Sequence, residues 1–195
     1  MIRIKKLVFI NIIFLIGILL YQTSSVAFIP YTYEPKIETL EETSVSIAKT
    51  AAQLIQLGQH SEAVRLIKLA VRLKPNDDRL WALLAEAQIK SNKLKQANKS
   101  ISKAKRINPS KASLWFAEGS IALRENNPKK ALKALNYGLK LEPKNAGAYF
   151  QKGNANLMQN KLKDALHSFE TAVNIKPNFW EALNNKGIVL FEMGK

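Results

Sequence analysis

A spacing of 34 residues between prolines constrains this chain more than any other feature of its sequence. Four of the seven prolines follow that spacing: Pro75, Pro109, Pro143 and Pro177. An internal repeat of this length is typical of stacked units that bury their apolar faces against one another. With each proline counted as position 32, the repeats occupy 44–77, 78–111, 112–145, 146–179 and, in part, 180–195.

Residue size recurs at fixed positions of the repeat. Position 8 is small in Ala51, Ala85, Gly119, Gly153 and Gly187, and position 20 is alanine in Ala63, Ala97, Ala131 and Ala165. Position 24 is bulky in Ile67, Ile101, Leu135 and Phe169, and position 27 is small in Ala70, Ala104, Gly138 and Ala172. Small residues let antiparallel helices approach closely, and bulky ones fill the space between them. The pattern therefore predicts two helices per repeat, with a turn at position 15 and helix caps at Asn76-Asp77, Ser110 and Asn178.

These columns resemble those of the tetratricopeptide repeat family, and they cover residues 44–195. The resemblance implies an all-α protein, a right-handed α-solenoid of stacked helix-turn-helix repeats. Position 11 departs from the family pattern, because it holds Gln88, Ala122 and Asn156 where a large residue is usual, so we expect lower local stability there. A slighter resemblance, at residues 28–31, is to exported tetratricopeptide repeat proteins of cyanobacterial type.

Residues 1–27 have the pattern of a secretory signal. A basic head containing Arg3 precedes an apolar run at 7–20, and small residues follow up to Ala27. We expect cleavage after Ala27, and the alternative is an uncleaved membrane anchor. The rest of the chain would then lie in a periplasm, a thylakoid lumen or the medium, or stay anchored by an N-terminal helix and face outside. Residues 28–43 contain two prolines and are predicted to form an extended linker.

Composition and motifs argue against an enzyme. The chain has no cysteine and two histidines, which removes thiolate chemistry and leaves little for a metal centre. Asp164, His167 and Ser168 lie along one predicted helix, where neighbouring side chains point in different directions and cannot converge as a triad. We therefore expect no catalytic site, no metal site and no cofactor.

The positive charge is concentrated in the second repeat. That repeat carries +7 of the formal charge of +15. We define the basic patch as Lys90, Lys93, Lys95, Lys99, Lys103, Lys105 and Arg106. It is either a solvated outer face or a surface for an acidic protein segment or anionic lipid. Nucleic acid is disfavoured as a partner, because no aromatic residues alternate with these lysines.

The family resemblance also indicates where a partner would bind, since first helices line the concave groove of such arrays. The candidate groove residues are Phe116, Ser120, Arg124, Phe150, Asn154, Met158 and Asn184. Phe116 and Phe150 recur at the repeat distance and either form an aromatic ledge in the groove or pack in the core. The family's clamp for C-terminal carboxylates is not supported, because among its positions only Asn154 fits.

The predicted function is a non-catalytic scaffold, exported or membrane-tethered, that binds a protein or peptide and could serve as an assembly factor. The alternative is a membrane-associated structural protein whose basic flank binds anionic lipid.

The last predicted helix, from Trp180 onward, is apolar on more than one side. Ile188, Phe191 and Met193 cannot all share the stripe that the fourth repeat would bury. We expect either that the chain is a truncated or split form of a longer array, or that a partner covers this helix. Self-association through it is the simplest form of the second alternative.

Overall fold

The computed structural model describes residues 37–194, and within that range the chain forms nine α-helices and no β-strand. They are α1 Ile37–Gln56, α2 His60–Leu73, α3 Asp78–Lys90, α4 Leu94–Ile107, α5 Ala112–Arg124, α6 Pro128–Leu141, α7 Ala146–Leu157, α8 Leu162–Ile175 and α9 Trp180–Glu192. Each helix packs on its neighbours in chain order, which confirms the predicted all-α array of helix pairs. None of these helices combines the length and the hydropathy that a membrane span requires. The predicted signal or anchor at 1–27 lies outside the described residues.

The array begins earlier than the sequence pattern predicts. Helix α1 starts at Ile37, so the prediction of an extended linker is wrong for residues 37–43. Proline restricts itself and the residue before it, and Pro35 therefore permits a helix that begins two residues later. An ion pair between Glu41 and Lys74 holds the added turn of α1 to the end of the first repeat.

The turns inside the repeats are built on left-handed residues at position 15, as predicted. Asn92, Asn126 and Asn160 have φ of 57°, 56° and 56°, and Gly58 has φ of 76°. Glycine and asparagine adopt this conformation at the lowest cost. Each turn is closed by a backbone bond back to the first helix, such as Lys93 N–H to the Gln88 carbonyl at 2.8 Å.

The second helices end before the predicted prolines, but only one of the predicted helix caps is formed. Asp77 caps α3 by accepting a bond from the Arg79 N–H at 2.9 Å. Ser110 and Asn178 do not cap, because the chain turns one residue later and the cap positions of α5 and α9 are Lys111 and Phe179. Tryptophans at position 4 stabilise two of these boundaries through hydrogen bonds from the indole N–H to a proline carbonyl. Trp81 donates to Pro75 at 2.7 Å, and Trp115 donates to Pro109 at 2.9 Å.

The small and bulky columns form the core. In the four complete repeats, positions 8, 20, 24 and 27 are all buried. A Cβ on Gly119 would lie 2.7 Å from Leu135 Cγ, and one on Gly138 would lie 2.5 Å from Phe116 Cε1. These two glycines are therefore required by the close approach of α5 and α6.

The polar residues at position 11 are matched by residues at position 23. Ser100 Oγ donates to Gln88 Oε1 at 2.8 Å, and Asn156 Nδ2 lies 3.5 Å from Ser168 Oγ. All four residues are buried. The polar residue at position 11 is thus compensated within the second and the fourth repeat, because a buried polar group that finds a partner avoids most of its desolvation cost.

Candidate functional site

An open cavity of about 660 Å³ lies between the first helices of the second and third repeats, and we call it the α3–α5 groove. Its apolar lining comes from Ala82, Leu83, Ile89, Ile101, Leu114 and Ala117. Its polar lining comes from Arg79, Glu86, Lys90, Lys111, Ser113, Ser120 and Arg124. The groove therefore combines an apolar lining with four cations and one carboxylate, which is the mixture that ligand sites use for affinity and orientation.

Two of the four cations are neutralised by nearby carboxylates. Arg79 donates from Nε and Nη2 to Asp77 at 3.0 and 2.8 Å, and Lys111 Nζ lies 2.9 Å from Asp78 Oδ2. The side-chain hydrogen bond from Arg79 holds the pKa of Asp77 below its usual value of 3.8, against the opposing effect of desolvation. Asp77 therefore stays ionised near neutral pH.

The other two cations define the part of the groove that is free to attract an anion. Arg124 Nη1 donates to the backbone carbonyl of Ile89 at 2.8 Å, and Arg124 and Lys90 both line the groove. A guanidinium has five N–H donors, and the described residues engage one of them. Lys90 is exposed and forms no ion pair within residues 37–194. Lys90 and Arg124, both at position 13, thus form a cationic edge beside the apolar lining.

The predicted groove residues separate in the structure. Ser120 and Arg124 line the α3–α5 groove. Phe116 does not, because it is buried at 9% exposure with its ring against Gly138. Phe150 is half-buried, and its ring lies 5.8 Å from that of Phe169 and 5.1 Å from that of Phe179. The structure therefore favours the core alternative: the Phe116 ring is buried, and the Phe150 ring packs against two other rings while it stays half-buried.

The remaining predicted groove residues lie further along the array. Asn154 Oδ1 accepts a bond from Asn185 Nδ2 at 2.9 Å and so joins the fourth repeat to α9. Met158 is 42% exposed at the end of α7, and Asn184 is exposed on α9. None of the three lines the α3–α5 groove.

The prediction took groove residues from positions 2, 5, 9, 12 and 13 of the first helices, and only from the third repeat onward, so it missed part of the groove. Applied to the second repeat, positions 2, 9 and 13 give Arg79, Glu86 and Lys90, all of which line the cavity. The signal was thus present in the sequence.

The predicted basic patch divides into three parts. Lys90 belongs to the groove. Lys105 is half-buried, with Nζ 2.5 Å from Glu118 Oε2 and 3.2 Å from the centre of the Trp115 ring, so it is a packing residue. Lys93, Lys95, Lys99, Lys103 and Arg106 are exposed. Lys99, Lys103 and Arg106 line a second cavity of about 420 Å³ together with Lys130, Asn98, Ser102 and Glu118.

The side chains of His167 and Ser168 lie on different faces of α8. Ser168 Oγ donates to the Asp164 backbone carbonyl at 2.8 Å and is buried, whereas His167 on the same helix is exposed. Among residues 37–194, no group of three or more histidine, aspartate or glutamate side chains could hold a metal ion.

Comparison with known proteins assigns the family. A model described as tetratricopeptide repeat matches residues 54–117, and a second model of the same description matches residues 116–178. The chain is a tetratricopeptide repeat protein. The two matches cover the α3–α5 groove, so the groove is built from tetratricopeptide repeat helices. A search of curated proteins finds no match to the sequence.

Solved tetratricopeptide repeat structures share the fold. MamA from Desulfovibrio magneticus RS-1 is 19% identical with a TM-score of 0.70, and the match covers 77% of this chain and 85% of that one. YrrB, described as having an unusual peptide-binding site, is 20% identical with a TM-score of 0.64 and 84% coverage of both chains. The first such domain of Spaghetti, bound to an HSP90 peptide, is 20% identical with a TM-score of 0.59, covering 60% of this chain and 94% of that one.

Proposed function

We propose that this tetratricopeptide repeat protein is a non-catalytic scaffold that holds a peptide segment of a partner protein in the α3–α5 groove. The proposal rests on one observation: the cationic edge of Lys90 and Arg124 borders a cavity of about 660 Å³ that has an apolar lining. A cavity of this size accommodates a few side chains of an extended segment. The peptide-binding site named for YrrB and the peptide complex named for Spaghetti support this use of the fold.

The groove favours a peptide of mixed apolar and acidic character. Small residues at Ala82 and Ala117 leave room for an apolar side chain. An aspartate, a glutamate or a terminal carboxylate placed next to that side chain would meet the unpaired Lys90 and the free donors of Arg124. Glu86 in the same lining would repel a second carboxylate, so one acidic group near one apolar group is the preferred pattern.

The signal-like sequence of residues 1–27 supports a function outside the cytoplasm, in which the repeat array is either released or tethered to a membrane. A scaffold of this kind that holds one segment of an exported partner would act as an assembly factor.

A peptide display experiment tests the groove. Random dodecapeptides are selected on the protein, and the dissociation constants of the enriched peptides are measured by fluorescence anisotropy. We expect enriched peptides to carry an acidic residue near an apolar one, and their binding to weaken as salt is raised. Lys90→Glu should weaken binding at least about tenfold, which corresponds to about 1.4 kcal/mol.

Two further variants make the test specific to the site. Ser120→Phe fills the groove without changing its charge and should also weaken binding. Lys163→Glu makes the same charge change at an exposed position of α8 outside the groove and should leave binding unchanged. If the selected peptides bind the Lys90 and Ser120 variants as tightly as the original protein, the groove is not the binding site.

A second function is favoured by one specific observation on α4. Lys95, Lys99, Lys103 and Arg106 share one face of that helix because they are spaced by four, four and three residues. All four are exposed, and none forms an ion pair within the described residues. Such a row would bind anionic lipid headgroups.

Vesicle flotation tests the lipid function separately. Vesicles containing phosphatidylserine should carry the protein in low salt, and the combined Lys99→Glu and Lys103→Glu change should prevent it. Because the apolar segment at 1–27 could insert by itself, neutral vesicles serve as the control. Equal binding to neutral and anionic vesicles would eliminate the basic row as the cause.

A further inference from the structure

The second cavity, of about 420 Å³, is bordered by α4, α5 and α6, and we call it the α4–α6 cavity. Its lining is polar or charged throughout and consists of Asn98, Lys99, Ser102, Lys103 and Arg106 of α4, Glu118 of α5 and Lys130 of α6. None of these residues lines the α3–α5 groove. The cavity is therefore a separate candidate site, and its volume falls within the range of about 300–1,000 Å³ that small-molecule sites occupy.

Three of the four cations in this lining have no counter-charge among the described residues. Lys99, Lys103 and Arg106 are exposed and form no ion pair within residues 37–194. They are spaced by four and three residues, so they share one face of α4. A cleft lined by charges of one sign focuses its field and concentrates counter-ions. The α4 wall of the cavity therefore attracts an anion.

Lys130 adds a fourth cation from a different helix. Its Nζ lies 3.4 Å from Asn98 Oδ1 and 3.8 Å from Glu125 Oε2. Asn98 Nδ2 in turn donates to Glu125 Oε1 at 2.6 Å, so the Asn98 amide is fixed beside the ammonium. An ammonium has three donors, and both of its contacts here are longer than a usual charge-assisted hydrogen bond. Lys130 therefore keeps donors for a ligand in the cavity.

The one carboxylate of the lining is neutralised by a cation outside it. Glu118 Oε2 lies 2.5 Å from Lys105 Nζ, and both side chains are mostly buried. An ionised carboxylate has about four acceptor sites, and the described residues use one of those on Glu118. Glu118 is therefore free to accept a hydrogen bond from a ligand hydroxyl, whereas it would repel an anion placed directly beside it.

The cations and the carboxylate lie toward opposite ends of the cavity. A helix rises about 1.5 Å per residue, so the α4 wall from Asn98 to Arg106 is about 12 Å long. Lys130 lies at the Asn98 end, whereas Glu118 pairs with Lys105 and so lies at the other end. The cavity therefore offers donors for an anion at one end and an acceptor for a hydroxyl at the other.

We propose that the α4–α6 cavity binds a phosphate monoester carried by a polyol, with the phosphate at the Lys130 end and a hydroxyl on Glu118. A phosphate monoester carries about −1.5 to −2 charges at pH 7 and three acceptor oxygens, so it matches several cations at once. The proposal goes beyond the lipid function, which needs only the charge of the row on α4. A free sugar phosphate and the headgroup of a phosphoinositide both present this combination of groups.

Titration calorimetry of the full chain in mild detergent tests the cavity without a membrane. Glucose 6-phosphate should bind with a dissociation constant below about 1 mM, and more weakly as salt is raised. Glucose 6-sulfate keeps the hydroxyls but carries a single charge, and it should bind at least about tenfold more weakly. Inorganic phosphate should also bind more weakly, because it lacks the hydroxyl that Glu118 accepts.

Two lysines distinguish the cavity from the basic row on α4. Lys130 lines the cavity but lies on α6, whereas Lys95 belongs to the row but does not line the cavity. Lys130→Ala should raise the dissociation constant for glucose 6-phosphate at least about fivefold, and Lys95→Ala should leave it unchanged. Lys103→Ala, at an exposed position of the cavity wall, should act as Lys130→Ala does without disturbing the fold.

Competition with vesicles identifies the source of the ligand. Vesicles containing phosphatidylinositol 4-phosphate that displace glucose 6-phosphate would assign the cavity to a lipid headgroup, and vesicles that leave it bound would assign the cavity to a free sugar phosphate.

Three outcomes overturn the proposal: no binding of glucose 6-phosphate at millimolar concentration, equal binding of glucose 6-sulfate, or a loss of affinity in Lys95→Ala as large as in Lys130→Ala and Lys103→Ala. Flotation with phosphatidylserine vesicles that persists in any of these cases would leave the lipid function of the row in place, so the two proposals fail separately.

Discussion

Replacing Ser100 with alanine removes the single donor that the buried Gln88 Oε1 uses. Both residues are 3% exposed, so water cannot replace the lost hydroxyl. An unsatisfied buried polar group costs about 1–3 kcal/mol, and we expect Ser100→Ala to lower the free energy of unfolding by that amount. The loss should be localised to α3 and α4, which this bond joins.

Replacing the other partner, Gln88, should lower the free energy of unfolding by less. In Gln88→Leu the freed Ser100 hydroxyl can donate to the backbone carbonyl one turn earlier, as Ser168 does to Asp164 at 2.8 Å. Combining Gln88→Leu with Ser100→Ala recreates an apolar pair of the kind that Leu54 and Leu66 form in the first repeat. We expect the double variant to lie within about 1 kcal/mol of the original protein, so that the two changes are not additive.

Urea unfolding followed by circular dichroism measures the free energies, and amide exchange shows whether the effect lies in α3 and α4. Ser102→Ala is the matched control, because it removes an exposed hydroxyl two residues along the same helix and should cost less than about 0.5 kcal/mol. An unchanged urea midpoint for Ser100→Ala, or a double variant as unstable as the sum of its parts, would refute the reasoning.

Three further predictions concern stability and the groove. Gly153→Ala should destabilise the chain by about 1–3 kcal/mol in urea unfolding, because its Cβ collides with the Phe169 ring and overpacking costs that much. Phe116→Ala should cost about 3–5 kcal/mol, as loss of a buried phenylalanine does, while peptide affinity of the folded fraction stays the same because Phe116 does not line the groove. Asp77→Asn should lower the urea midpoint at pH 7. Since the folded pKa of Asp77 lies below its ordinary value of 3.8, its contribution is present above that pH and is lost as pH falls through the folded pKa, so the two proteins should converge in acid.

The repeat architecture could be predicted because close helix contacts leave few choices of residue. Gly119 lies where a Cβ would collide with Leu135, and Asn92 adopts a left-handed conformation that few residues tolerate. Such requirements recur in every repeat and are visible as columns. The period and the turns therefore follow from the sequence alone.

The role of Phe116 could not be predicted from its column, because position 5 borders both the groove and the second helix. Its role is decided by the residue at position 27 of the same repeat. Gly138 at that position leaves room for the Phe116 ring, whereas the other repeats have an alanine there: Ala70, Ala104 and Ala172. The relevant signal is thus a pair of positions 22 residues apart and not one column. The start of α1 could not be predicted for a related reason. Glu41 stabilises this part of α1 through an ion pair with Lys74, which is distant in the sequence.

The matched pairs at positions 11 and 23 have a consequence for the genetics of the array. Both members of each pair lie 12 residues apart within one unit of 34 residues, as Gln88 and Ser100 do and as Asn156 and Ser168 do. An in-frame duplication or deletion of 34 codons whose breakpoints lie at the turns between repeats would carry or remove both members together and would leave no buried amide without its hydroxyl. A recombination breakpoint between positions 11 and 23 of unlike repeats would join Gln88 to Ala134, and such a hybrid would inherit an orphaned polar group. Unequal crossing-over should therefore be tolerated in this gene at the turns between repeats and selected against at the turns within them.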